Sequence, residues 1–156
     1  MKGKAKVIAD LNDALSGELT AINQYFIHGR MCANWGYEKL AAKAREEAFG
    51  EMKHAEALID RILFLDGVPN MQKYNKIVVG TTVREQLEND LRLEMDAVRQ
   101  LNAAIKTAVE VGDNGSRDLF QHVLNDEEGH VDYLEAQLHL IDEIGLQNYL
   151  AQHIKP

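Results

Sequence analysis

The chain has 156 residues, 46% hydrophobic and 27% charged, with a formal net charge of −8. That length fits one domain over residues 1–156, and the acidic balance argues against a nucleic-acid partner while suiting a protein that attracts cations. The single cysteine, Cys32, rules out an intrachain disulfide or a thiolate metal cluster within one chain and reads as a small packing residue.

The N-terminus carries Lys2, Lys4 and Lys6 and lacks the apolar run of a signal peptide. No stretch of about 18 apolar residues occurs, so no membrane span is expected and the expected compartment is the cytoplasm. Four long segments of helical periodicity follow, at 5–34, 38–65, 83–111 and 115–144. The first break is Asn34-Trp35-Gly36, and the third is Gly112-Asp113-Asn114-Gly115. Between the second and third segments runs a long link, Asp66 to Thr82. Thr82-Val83-Arg84-Glu85 reads as a capping box opening the third helix. A short fifth helix is expected after Gly145, from Leu146 to Ile154. The two prolines, Pro69 and Pro156, fall outside the periodic segments. Short first and third links imply antiparallel hairpins, and the long middle link spans the length of a bundle. The expected fold is therefore all-α, a four-helix bundle with one long crossover and a short C-terminal fifth helix.

Each helix shows one apolar seam interrupted by a glutamate. The first seam reads Leu11, Leu15, Glu18, Ile22, Tyr25, and the second Ala44, Ala48, Glu51, Ala55, Leu58, Ile62, Leu65. The third reads Leu87, Leu91, Glu94, Val98, Leu101, Ile105, and the fourth Phe120, Leu124, Glu127, Val131, Leu134, Leu138, Ile141. Glu51 and Glu127 each precede a histidine by three residues, His54 and His130, which puts each pair on one helix face. Only these two of the six histidines have that partner. The set 18, 51, 54 maps onto 94, 127, 130 by adding 76, so two similar halves each carry a Glu and a Glu-x-x-His.

A single seam glutamate is a register device as readily as a ligand. Four converging on a low-dielectric core would repel one another at several kcal/mol each. Two divalent cations would balance four carboxylates, and two imidazoles add ligands without adding charge. Oxygen-rich ligation with one imidazole per metal suits iron or manganese rather than structural zinc. Glu51 and Glu127 are placed to bridge, with Glu18 and His54 on one metal and Glu94 and His130 on the other. Tyr25 is placed for a supporting hydrogen bond or for aromatic packing. His28, His122, His139 and His153 read as surface or core residues.

The sequence also resembles the bacterioferritins along essentially its whole length. The resemblance is carried by Met1-Lys2-Gly3 with Leu11-Asn12, Glu18-Leu19-Thr20-Ala21-Ile22-Asn23-Gln24-Tyr25-Phe26 and Glu51-Met52-Lys53-His54-Ala55. It continues in Arg61-Ile62-Leu63-Phe64-Leu65, Asp126-Glu127-Glu128-Gly129-His130 and Gly145-Leu146-Gln147-Asn148-Tyr149-Leu150. It implies a ferritin-like fold and a di-iron ferroxidase centre with Glu18, Glu51, His54, Glu94, Glu127 and His130 as catalytic and metal-binding residues. It further implies oxidation of ferrous iron by oxygen or peroxide, a cage of about two dozen identical subunits storing ferric mineral, and reduction by an iron–sulfur ferredoxin. On its own, Met52 belongs to a second stripe with Phe49, Ile59 and Leu63 and reads as interface packing. The resemblance implies that it is an axial ligand of a b-type haem shared by two subunits. One departure stands out. Some members add a cavity-side iron site that uses a His and an Asp where this chain has Glu46 and Gly50, which leaves open whether the centre's metals turn over as substrate or stay as a fixed cofactor. The rival classes are a di-iron oxidoreductase acting on an organic substrate or peroxide, and a haem electron-transfer bundle. The first lacks spare length for a cysteine-rich domain, and the second leaves four seam acids unexplained.

Overall fold

The computed structural model describes residues 1–155; Pro156 lies outside the described residues. The helices are α1 (Ala5–Trp35), α2 (Glu38–Phe64), α3 (Val83–Glu110), α4 (Asn114–Ile144) and α5 (Leu146–Ala151), with no strand among the described residues. Their ends follow from local chemistry. Gly36 takes φ 88°, the left-handed conformation that stops α1. Asp113 accepts from Ser116 N at 3.0 Å and starts α4 one residue ahead of expectation. Thr82 accepts from Glu85 N at 3.2 Å. The expected capping box closes on Thr81 instead of Thr82: the Glu85 carboxylate accepts from the Thr81 N–H at 3.1 Å and its hydroxyl at 2.8 Å. The fifth helix is shorter than expected. Gln152 N and His153 N bond three residues back (3.1 and 3.0 Å), and His153 Nδ1 donates to Tyr149 O at 2.6 Å, so the last turn tightens and ends.

The expected topology is the observed one. At one end, Val7, Leu11, Leu58, Ile62, Leu101, Ala108 and Phe120 pack together, from the start of α1, the end of α2, the end of α3 and the start of α4. At the other end, Cys32, Leu40, Val83, Leu87, Leu134 and Ile141 pack with Tyr149 of α5. So α1 and α4 run one way, and α2 and α3 the other. Each fully buried Leu, Ile or Phe contributes roughly 1.5–3 kcal/mol. A small cluster of Ala21, Tyr25 and Ala48 lies between the two ends. The seam glutamates sit at this middle level, where the apolar core is interrupted.

The crossover runs the length of the bundle and is held by a polar ladder on α1. Asn12 accepts from Asn70 N (2.7 Å), Thr20 Oγ1 from Asn75 N (2.8 Å), Gln24 Oε1 from Val78 N (3.1 Å) and His28 Nε2 from Gly80 N (2.9 Å). Backbone groups that would otherwise lie unpaired against a helix are thereby satisfied. The Gly80 bond fixes the His28 tautomer, leaving Nδ1–H to face Asp90 Oδ1 at 2.9 Å. A Cβ at Gly80 would lie 2.4 Å from Gln86 N, so only glycine allows the crossover this close to α3. No described helix is long and apolar enough to cross a membrane.

Candidate metal centre

The structure brings all six of the expected residues together. Glu18, Glu51, Glu94 and Glu127 are each 4% exposed or less, and His54 is 7% exposed. Two quartets form, Glu18–Glu51–His54–Glu127 and Glu51–Glu94–Glu127–His130, each with one ligand atom per residue within 4.8 Å of the others. Glu51 and Glu127 belong to both. Metal bonds to oxygen and nitrogen run about 2.0–2.2 Å, so ligands on opposite sides of an ion stand a little over 4 Å apart. The quartets match that size.

The orphaned atoms are more telling than the distances. Among the described residues, six buried side-chain atoms lack a hydrogen bond: Glu18 Oε2, Glu51 Oε1, His54 Nδ1, Glu94 Oε2, Glu127 Oε1 and His130 Nδ1. Each candidate ligand contributes one. His54 Nδ1 lies 3.0 Å from Glu127 Oε1, and His130 Nδ1 lies 3.1 Å from Glu51 Oε1, yet neither contact has hydrogen-bond geometry. Buried unpaired polar atoms cost about 1–3 kcal/mol apiece, more when charged. Six in one cluster are compatible with a bound cation, which could satisfy them together.

The opposite nitrogen of each histidine is held from outside the cluster. Asp126 Oδ2 lies 2.7 Å from His54 Nε2, and Glu47 Oε2 lies 2.6 Å from His130 Nε2. A carboxylate on Nε2 keeps that nitrogen protonated and frees Nδ1 as the donor to metal. Tyr25 makes the supporting bond, but to α3: its hydroxyl donates to Glu94 Oε1 at 2.6 Å.

The electrostatics of the metal-free cluster follow from this crowding. Burial would lower the His54 pKa, but the close carboxylates of Glu127, Glu51 and Asp126 outweigh it and raise it to about 10. His130 moves the same way, burial again being overcome by Glu127, Glu47, Glu51 and Glu94. Burial and then the neighbouring Glu127 carboxylate push Glu94 well above the carboxylate range. Protons therefore stand in for metal charge. A binding cation must displace them, so affinity rises with pH. Titrating Co²⁺ into the metal-free protein at neutral pH releases protons, measurable by calorimetry in two buffers of different ionisation enthalpy. An affinity unchanged between about pH 6 and 9 would contradict this.

A cavity of about 310 Å³ reaches the cluster between α1, α3 and the crossover. Glu18, Glu51, Glu94 and Glu127 line it, as do the basic residues Lys76 and Arg92 and the acids Asp13 and Asp96, which pair with Lys73 at 3.3 Å and with Arg99.

The family comparisons agree with this geometry. The model of the ferritin-like domain matches residues 8–144. The bacterioferritin of Mycolicibacterium paratuberculosis is 48% identical over 152 residues, covering 97% of this chain and 96% of the relative. That of Rhodobacter capsulatus is 48% identical over 156 residues, covering 100% and 97%.

The chain belongs to the bacterioferritins.

Within this bacterioferritin, Glu46 is a surface residue whose side chain is 73% exposed and 3.7 Å from Lys43 Nζ, and Gly50 offers no ligand. Met52 is 49% exposed on the outer face of α2, with Phe49 (50%) and Leu63 (55%) on the same stripe. Ile59 of that stripe turns partly inward, against the core. His28 is buried in the crossover ladder and His153 at the end of α5, while His122 is at the surface. As partners of the two histidines, Glu47 and Asp126 were missed by sequence reasoning. The repeat gives no hint of them: position 123 is Val and position 50 is Gly where the offset of 76 would place their counterparts.

Proposed function

We propose that this bacterioferritin is an iron-storage ferroxidase. The six orphaned buried atoms, one from each of Glu18, Glu51, His54, Glu94, Glu127 and His130, carry the reading. Two ferrous ions are the substrate, and each gives one electron to oxygen or peroxide. Glu51 and Glu127 hold both ions at once, while Glu18 with His54, and Glu94 with His130, complete one position each. Four carboxylates stabilise the higher charge of ferric iron more than that of ferrous iron, which favours oxidation. Asp126 and Glu47 hold the imidazole protons on Nε2. The product is stored as ferric mineral inside a cage of about two dozen copies, in the cytoplasm.

A b-type haem fits the Met52 face. The half-exposed Met52 thioether, flanked by Phe49 and Leu63, would hold the haem iron together with the same residue of a symmetric copy, and the two apolar side chains would bed the ring. When bound, the haem supplies one-electron exchange, and an iron–sulfur ferredoxin is the proposed reductant. An organic substrate is disfavoured, because the acids themselves line the cavity that reaches the centre.

Aerobic addition of ferrous iron to the metal-free oligomer is expected to give a rapid phase of ferric absorbance at two irons per chain, in a particle of cage size. Met52→Leu is expected to keep that phase and lose haem absorbance. Full haem in the variant would remove the axial assignment; a missing rapid phase in the wild type would remove the ferroxidase reading.

A further inference from the structure

The cavity that opens onto the centre carries two exposed cations on its lining, Lys76 of the crossover and Arg92 of α3. Among the described residues, neither lies within 4.0 Å of a carboxylate. The acids one turn either side of Arg92 on α3 are engaged elsewhere: Glu88 lies 3.4 Å from Arg84 Nη1, and Asp96 pairs with Arg99. Asp13, on the same lining, lies 3.3 Å from Lys73 Nζ. Arg92 donates instead to the neutral Asn89 amide oxygen. Asn89 is 5% exposed and donates in turn to Val78 O of the crossover at 3.3 Å. The guanidinium is thereby held at the cavity with no acid to neutralise it. The four glutamates deeper in are directed at the metal cluster, each within 3.7 Å of His54 or His130. In a chain of net charge −8, this opening is a local reversal of sign.

We propose that the opening binds a small tetrahedral dianion, hydrogen phosphate or sulfate, held by the Arg92 guanidinium and the Lys76 ammonium.

The argument is one of charge and shape. A guanidinium presents parallel N–H donors that match two oxygens of a tetrahedral oxyanion, and an ammonium adds a compact second charge. Two unpaired cations match a charge of −2. The Asn75 side-chain amide, on the same lining, adds a neutral donor. The cavity of about 310 Å³ admits such an ion, and its walls concentrate the field of the two cations. Oxidation would raise the charge on each iron ion by one, and a dianion in this cavity supplies counter-charge at the same opening. That consequence rests on the ferroxidase reading; the binding itself does not.

The test therefore uses the assembled protein free of metal. Inorganic phosphate is titrated into it calorimetrically at low ionic strength, with sulfate as competitor. One phosphate per chain is expected, displaced by sulfate. Arg92→Gln and Lys76→Gln are each expected to weaken binding by about tenfold, the loss of one charge-assisted contact. Lys106→Gln removes the same charge further along α3 and is expected to stay within about twofold of the wild type. All three side chains are exposed, so the fold is kept. No saturable phosphate binding, phosphate that sulfate does not displace, or an equal loss in Lys106→Gln and Arg92→Gln would overturn the site. Those results would leave rapid iron oxidation by the same protein untouched.

Discussion

Glu127→Ala is expected to abolish tight binding at both metal positions and eliminate rapid iron oxidation. Glu127 belongs to both quartets, lies 1% exposed, and leaves no neighbour able to take its place. Glu18→Ala removes a ligand from one quartet alone. It is expected to keep one bound metal per chain but lose rapid oxidation, because a lone ferrous ion provides one electron rather than two. Removing a carboxylate that merely orients a metal-bound histidine costs roughly 10–100-fold in affinity, so deleting a shared ligand costs more. Equilibrium binding of Co²⁺ and stopped-flow iron oxidation separate the two variants. Equal loss of metal in both would mean that Glu127 does not bridge.

Metal binding is expected to raise the melting temperature steeply. The metal-free cluster holds six unpaired buried atoms and repelling carboxylates, and a cation relieves both. At free metal about a thousandfold above its dissociation constant, each site adds about 4 kcal/mol. For a chain of this size that corresponds to roughly 8–16 °C per site. Calorimetric scans with and without Co²⁺ measure it. The rise should disappear in Glu127→Ala, whose metal-free form should melt close to the metal-free wild type.

The fold was legible because each seam position faces the core as its periodicity requires. Leu11, Leu15, Leu58, Ile62, Leu101 and Phe120 are buried, and the long link could only be a crossover. The clustering of the six residues was legible for the same reason: an acid on an apolar seam is a local contradiction, and four of them meet at one level of the core. The supporting residues were not legible in this way. Glu47 and Asp126 lie off the seams, and each reaches across to a histidine on another helix, so neither spacing nor the repeat marks them. The crossover ladder was half visible. Thr20, Gln24 and His28 recur every four residues on α1, yet their partners are backbone groups, which carry no residue identity. Tyr25 showed that it needed a partner, but only the packing of α1 on α3 made that partner Glu94.

The most direct measurement is the anomalous diffraction of crystals of the assembled protein soaked in ferrous iron without oxygen. Two peaks per chain are expected, about 3.5–4 Å apart as in other paired-metal sites, one among Glu18, Glu51, His54 and Glu127 and the other among Glu51, Glu94, Glu127 and His130. A single peak, or iron bound only away from these six residues, would contradict the account.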